Sequence, residues 1–360
     1  MKRRWCVPAA LLKSPGVTLE AEDVLAESPG QLGLLMWASV RDVYLWAEAE
    51  PAGRAAVFAP EAAKGRLALI ARSPLPPEAN LRLTQLAATL LRTPQSVPVA
   101  LIVESCLELA RWAGDNHAPR AAVAFAQGAA LADPGDPESA LETGIHSLAA
   151  GQIARAETWL RRALSLARHS GRVALIGPAY LNLAVAFQRQ ERHTEARLAA
   201  LKALRATRRH GGGLAVRWSV LHVLFLAAVA ENNVVHAEQY ARAAAEGMKR
   251  HRPGVAFLLD LARWWCGNDP TRAREVLAVL LAQDLGARER LVALALMVRT
   301  AALVARDEFT AAWTAVQAQL RSMDDRDVPA EIAAHVDAAA ALLFPGGRIL
   351  GPPTGGEDRA

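Results

Sequence analysis

Apolar residues in this chain recur at helical spacing and are interrupted by short polar turns. The clearest case is Ala179–Leu204. Tyr180, Leu183, Ala184 and Phe187 fall at i, i+3, i+4 and i+7, which is one face of a helix. After a polar turn at Gln190–Thr194, Ala196, Ala200, Ala203 and Leu204 fall at i, i+4, i+7 and i+8. The alanines let two helix backbones approach closely. Such a hairpin cannot bury its apolar faces alone, so the pattern predicts stacking on further copies.

The copies are visible as a small residue early in each second helix: Ala122, Ala156, Ala196, Ala237, Ala273 and Ala312, in steps of 34, 40, 41, 36 and 39 residues. Twelve residues before each anchor lie Ala110, Gly144, Ala184, Phe225, Leu261 and Thr300; seven after lie Ala129, Ala163, Ala203, Ala244, Leu280 and Gln319. The small-residue pattern is clear in the first three copies and degraded in the last three. A polar turn joins the two helices of each copy: Gly114–His117, Gly151–Gln152, Glu191–His193, Glu231–Asn233, Gly267–Asp269 and Arg306–Glu308. Asp133–Pro134 with Pro137, and Gly211–Gly213, mark joints between copies.

Around this array at 98–322 the chain divides further. Residues 1–30 read as irregular, broken by Pro8, Pro15–Gly16 and Pro29–Gly30, with a short helix at 18–26. Residues 31–97 form a helical extension: Gln31–Glu48, then Glu61–Arg72 with Pro60 in its first turn, then Glu78–Arg92. Residues 328–345 read as a capping helix. The Gly/Pro-rich stretch 346–360 is expected to be disordered.

Two stretches carry a family resemblance. The spacing G-x6-G-x4-A-x6-A-L in Gly144–Leu164 and Y-x2-L-A-x2-F-x8-A-x6-A-L in Tyr180–Leu204 resemble tetratricopeptide repeats, in the longer-repeat variety seen in kinesin light chains and in bacterial regulators. The resemblance extends over about residues 103–320, and the proline that should follow each second helix is kept only at Pro134. It implies an all-α fold, a right-handed α-α superhelix whose inner groove is lined by the first helices and binds protein or peptide. In peptide-binding members an Asn two residues after the aromatic that opens the motif contacts the ligand backbone, and Asn182 stands in that place. A carboxamide can donate to and accept from a peptide bond. The equivalent positions in neighbouring copies hold Glu142 and Val223. Leu181, Val185, Gln188 and Arg189 are expected to line the groove beside Asn182. Arg217 and His222 are expected to do so from the next first helix, with Trp218 more naturally a packing residue.

Composition narrows the remaining classes. The chain is 52% hydrophobic but 5% aromatic, so its apolar residues are mostly Ala, Leu and Val, which favour helix. No alternating run bounded by turn residues predicts strands. The start, MKRRWCVPAALLK, has the charge of a secretion signal. Its apolar run is short, holds Pro8 and closes at Lys13, so none is expected. The three cysteines, Cys6, Cys106 and Cys266, are far apart and form no C-x-x-C pair, which argues against disulfides and zinc and for a reducing cytoplasm. No P-loop, dinucleotide fingerprint, nucleophile elbow or H-E-x-x-H occurs, so no cofactor, metal or catalytic residue is expected.

The net charge of +5 is mild but uneven: Arg155–Arg217 holds 13 Lys/Arg against Glu157, Glu191 and Glu195. That stretch is either a solvated outer face or an attraction for an acidic partner, phosphate or nucleic acid. The sequence therefore predicts a cytoplasmic, non-catalytic protein- or peptide-binding scaffold. The alternatives are a regulatory sensor of a signalling peptide and a nucleic-acid-associated protein acting through residues 155–217.

Overall fold

The computed structural model describes residues 30–57, 60–210, 214–248, 253–323, 328–329 and 331–343, together with Val24, Glu27 and Ser28. The rest of the irregular start and of the helix expected at 18–26, the joint Gly211–Gly213 and the tail at 346–360 lie outside these. All regular structure among the described residues is helical. The chain forms two units, residues 1–234 and 235–360.

In the first unit, α1 (Gln31–Glu48), a single 3-10 turn at Pro51–Gly53, α2 (Arg54–Val57), α3 (Pro60–Arg72) and α4 (Pro77–Arg92) precede the array. The paired helices follow: α5 (Val99–Asp115) with α6 (Pro119–Ala132), α7 (Pro137–Ala149) with α8 (Ile153–Ser170), and α9 (Ile176–Arg189) with α10 (His193–His210). α11 (Leu214–Ala230) packs on α10 as the first helix of the next pair. The three sets of repeat positions are buried where they should be. Ala110, Ala122, Ala129, Ala156, Ala163, Ala184, Ala196 and Ala203 each expose 1% or less. At Gly144 the approach is closer still: an added Cβ would sit 2.6 Å from Leu160 Cγ and 3.3 Å from the Leu160 backbone nitrogen.

The turns repeat to the atom. His117, Gly151, Glu191 and Asn232 all have left-handed backbones, with φ of 59, 75, 60 and 52°. They are spaced 34, 40 and 41 residues apart, the same steps as the anchors that follow them. After each, the next N–H donates back to the carbonyl five residues earlier: Ala118 to Ala113, Gln152 to Ser147, Arg192 to Phe187 and Asn233 to Ala228, at 2.8–2.9 Å. This is the Schellman closure, which satisfies the carbonyls left over at a helix end and reverses the chain at a fixed angle. Gly151, and to a lesser degree Asn232, suit the left-handed region; Glu191 accepts strain there.

The extension closes the open end of this stack. α1 packs on α6, with Tyr44 Oη donating to the Ala124 carbonyl at 3.1 Å, and Trp46 Nε1 donates to the Pro94 carbonyl at 2.8 Å. Glu27 reaches 93 residues along the chain to cap α6, its carboxylate accepting from the N–H groups of Arg120 and Ala121 at 2.8–3.2 Å. A carboxylate there satisfies orphan donors and meets the positive end of the helix dipole.

The second unit holds α12 (Val234–Met248, from its second residue), α13 (Val255–Asn268) with α14 (Pro270–Leu281), α15 (Ala287–Val304) with α16 (Phe309–Arg321), and α17 (Glu331–Leu343). Its turns differ. At Asp269 the carboxylate instead caps the start of α14, accepting from Arg272 N at 3.2 Å. A 3-10 turn at Arg306–Glu308 joins the last pair. α17 closes this unit by a different route from an added repeat. Following helices elsewhere pack mainly on the second helix of the preceding pair; α17 lies along the first helix, α15, and its Glu331 bonds Arg263 of α13 at 2.7 Å. In copy three Asn182 and Val185 are half-buried; their equivalents on α15, Val298 and Ala301, are fully buried. Phe225, Leu258 and Leu259, apolar first-helix residues of copies four and five, are core.

Gly144→Ala should destabilise the fold by about 1–2 kcal/mol, because overpacking against Leu160 outweighs the gain in helix propensity. Gly65→Ala, in α3 with nothing within 4 Å of the new methyl, should stabilise it by about 0.5–1 kcal/mol. Thermal melts of the two variants should therefore shift in opposite directions. Glu191→Gly, which relieves a left-handed backbone at an exposed position, should raise stability by about 0.5–1 kcal/mol in urea titrations.

Candidate binding face of the first helices

Helical spacing divides α9 into two sides. Ala179, Leu183, Ala184, Ala186 and Phe187 are buried, whereas Leu181, Asn182, Val185 and Gln188 are half-buried and Arg189 is exposed. The five residues expected in the groove thus share the outward side of one first helix. Asn182 does not extend its amide freely: Nδ2 donates to the Pro178 carbonyl at 2.9 Å, one turn back. Arg189 donates to the Leu148 carbonyl at the end of α7, where a cation also meets the negative end of that helix. Gln188 Oε1 is buried and accepts no hydrogen bond among the described residues. On α11, Arg217 is exposed while Trp218 and His222 are half-buried.

Glu142, expected as a peptide-binding residue in the place that Asn182 holds in the next copy, belongs to a network that sequence reasoning missed. Arg111 of α5 reaches Glu138 at 3.1 Å and Glu142 at 3.6 Å. Arg172, in the joint after α8, bonds Asp136 at 2.9 Å and Glu138 at 2.8 Å. Asp136 is itself the cap of α7, accepting from Ser139 N at 2.8 Å. Arg82 of α4 bonds Glu108 at 2.9 Å. Part-exposed pairs of this kind contribute little stability each; their effect is to fix where charge sits on the face. They frame a cavity of about 400 Å³ whose charged lining is Glu104, Glu108, Asp133, Asp136 and Glu138 against Arg111 and Arg172. An acidic ligand at this end would meet like charge. The signal was present in the repeat register, since Glu108, Glu142 and Asn182 each lie fourteen residues before an anchor alanine.

His146, one turn beyond Glu142, is the electrostatic oddity of this face. Burial, and secondarily the Arg111 guanidinium, push its pKa down from 6.5 to about 4, with Asp115 pulling weakly the other way. Its Nε2 lies 3.6 Å from Glu142, too far for a hydrogen bond, and has no partner among the described residues. The ring is therefore neutral at pH 7, and the charge of Glu142 is answered by Arg111. Burial raises the pKa of Glu142 as well.

The basic stretch 155–217 is largely used by the fold. Arg161 and Arg192 bond Glu157, Arg192 also bonds Glu195, and Arg197 bonds Glu231. Arg155 bonds Gln127 and Gln152, while Arg162 donates to the Pro134 carbonyl. Among the described residues no group of three or more His, Cys, Asp and Glu side chains could hold a metal ion, and no helix is long and apolar enough to cross a membrane.

No protein-family model and no curated protein matches this chain. Among solved structures, one titled "Functional Characterization of Pseudomonas Aeruginosa pilF" aligns with a TM-score of 0.47 at 14% identity, covering 69% of this chain and 95% of that one. At that score the likeness identifies no family.

Because the folded-state pKa of His146 lies below its unfolded value, the unfolded chain takes up the proton first, and stability falls as pH drops from 6.5 towards 4. Wild type should lose on the order of 3 kcal/mol more than His146→Gln across that window in denaturant titrations at successive pH values.

Proposed function

We propose that this chain is a non-catalytic scaffold of the tetratricopeptide type that binds a protein or peptide on the first-helix face of its first unit. The carrying observation is the difference between equivalent positions. On α9 the face presents half-buried Leu181 and Val185 beside Asn182 and Arg189, with no described element over it; on α15 the counterparts of Asn182 and Val185, Val298 and Ala301, are fully buried. Half-exposed apolar residues ringed by polar groups are the composition of a recognition surface. An extended or helical peptide would place apolar side chains against Leu181, Val185 and Leu226 of α11. A basic residue of that peptide would suit the acidic cavity near Glu104 and Glu108, since opposite potentials favour the encounter. Asn182 joins the site by giving up its bond to Pro178 for one to the ligand backbone. The free, buried thiols of Cys106 and Cys266 suit a cytoplasmic setting, which belongs to the same proposal.

A displayed random library panned on the full chain should yield peptides that bind Val185→Glu at least tenfold more weakly than wild type, as read by calorimetry. A selected set that binds wild type and Val185→Glu equally would remove the reading.

A further inference from the structure

A second cavity, of about 470 Å³, opens between the second helices α8 and α10, away from the face described above. Its floor is the buried side of α9, where Leu183 and Phe187 expose 4% and 6%. One wall is Tyr180. Leu198 of α10 stands at the rim with 48% of its surface exposed, one of the larger apolar exposures in the array. Two cations converge on Tyr180. The Arg168 guanidinium lies 5.7 Å from the ring centroid and donates to the hydroxyl, and Lys202 Nζ lies 5.6 Å from the same centroid. Of the other ionisable side chains in the lining, Arg161 is paired with Glu157, the carboxylate Glu195 with Arg192, and His169 Nδ1 lies 2.7 Å from the Ser165 carbonyl. Neither Arg168 nor Lys202 has a carboxylate partner among the described residues.

An apolar floor beside two cations with no counter-charge asks for a ligand carrying both features. We propose that this cleft binds an acidic segment of a partner protein. A carboxylate side chain would be received by Arg168 and Lys202, and a neighbouring aliphatic side chain would cover Leu198 and enter between Tyr180 and Phe187. Arginine suits this role because its planar fork can pair a carboxylate through two bonds. The tyrosine ring holds both cations in place before the ligand arrives, so less side-chain freedom is lost on binding. A nucleic-acid strand fits poorly. It presents a phosphate every 3.4 Å or so along the strand axis and needs a continuous cationic track. Here the track is interrupted at one end of the cleft, where Arg161 and Arg192 are already bonded to Glu157 and Glu195.

This site is independent of the first-helix face, and its test separates the two. The probe is a fluorescein-labelled octapeptide, Gly-Ser-Leu-Glu-Leu-Glu-Ser-Gly, titrated with the full chain at low salt and read by anisotropy. Saturable binding is expected. It should weaken at least tenfold when both glutamates of the peptide become glutamine, and at least tenfold when both leucines become serine. The double variant Arg168→Gln with Lys202→Gln should weaken it at least tenfold while leaving the helical circular dichroism unchanged, because both side chains are exposed. Arg168→Lys, which keeps the charge, should retain part of the binding, and Val185→Glu should bind as wild type does. Absence of saturable binding, unchanged binding by the double variant, or loss of binding in Val185→Glu would each overturn the proposal. So would displacement of the peptide by a twelve-residue oligothymidylate at an equal concentration of binding sites, which would assign the cleft to nucleic acid.

Discussion

The close approach of paired helices is the constraint on which the rest depends. Two helix backbones can come together only where neither carries a long side chain at the crossing. The array meets that condition by placing Ala or Gly at three positions of each pair in its first three copies. Gly144 against Leu160 is the extreme case, with no room for even a methyl group. Dense interiors feel single-methylene changes, so this requirement is strict. It also explains the composition: an array built on alanine contacts needs few aromatics, and its larger apolar side chains gather where the small-residue pattern lapses, at Phe225 and Leu261.

The turns convert that local contact into a repeating direction. Four Schellman closures with matching hydrogen bonds send α6, α8 and α10 back along their partners and end α11 in the same geometry. Their left-handed residues are His, Gly, Glu and Asn, a set with no common chemistry. What they share is a backbone conformation, imposed from outside by packing on both sides of the turn. In the second unit packing relies on larger side chains, the closures change type, and the last helix turns back onto α15.

Charge plays a positional part. Part of the basic stretch serves joints and helix ends: Arg172 clasps the α7 cap, Arg189 meets the end of α7, and Arg162 holds the Pro134 carbonyl. The first-helix face is acidic near copies one and two and apolar near copies three and four. On the opposite side of α9, the flanking helices α8 and α10 carry the pair Arg168 and Lys202, which has no carboxylate partner among the described residues. One helix thereby supports two surfaces of different chemistry, and the amphipathic period of Ala179–Leu204 accounts for both.

The all-helical class, the pairing of helices and the turn positions were legible in the sequence, because spacing at i, i+3, i+4 and i+7 is a local property and small residues at fixed steps mark where backbones meet. The outward side of α9, with Leu181, Asn182, Val185, Gln188 and Arg189, was legible for the same reason. The charge networks were not. Arg111 with Glu142, Arg172 with Asp136 and Arg82 with Glu108 join residues 26 to 36 apart, and no local period reports which of many charges will meet. The course of α17 was equally invisible, since an amphipathic helix specifies that it must be covered and not by what. Periodicity determined the elements and their faces; tertiary packing alone decided which faces stayed open, because burial depends on which distant segment arrives.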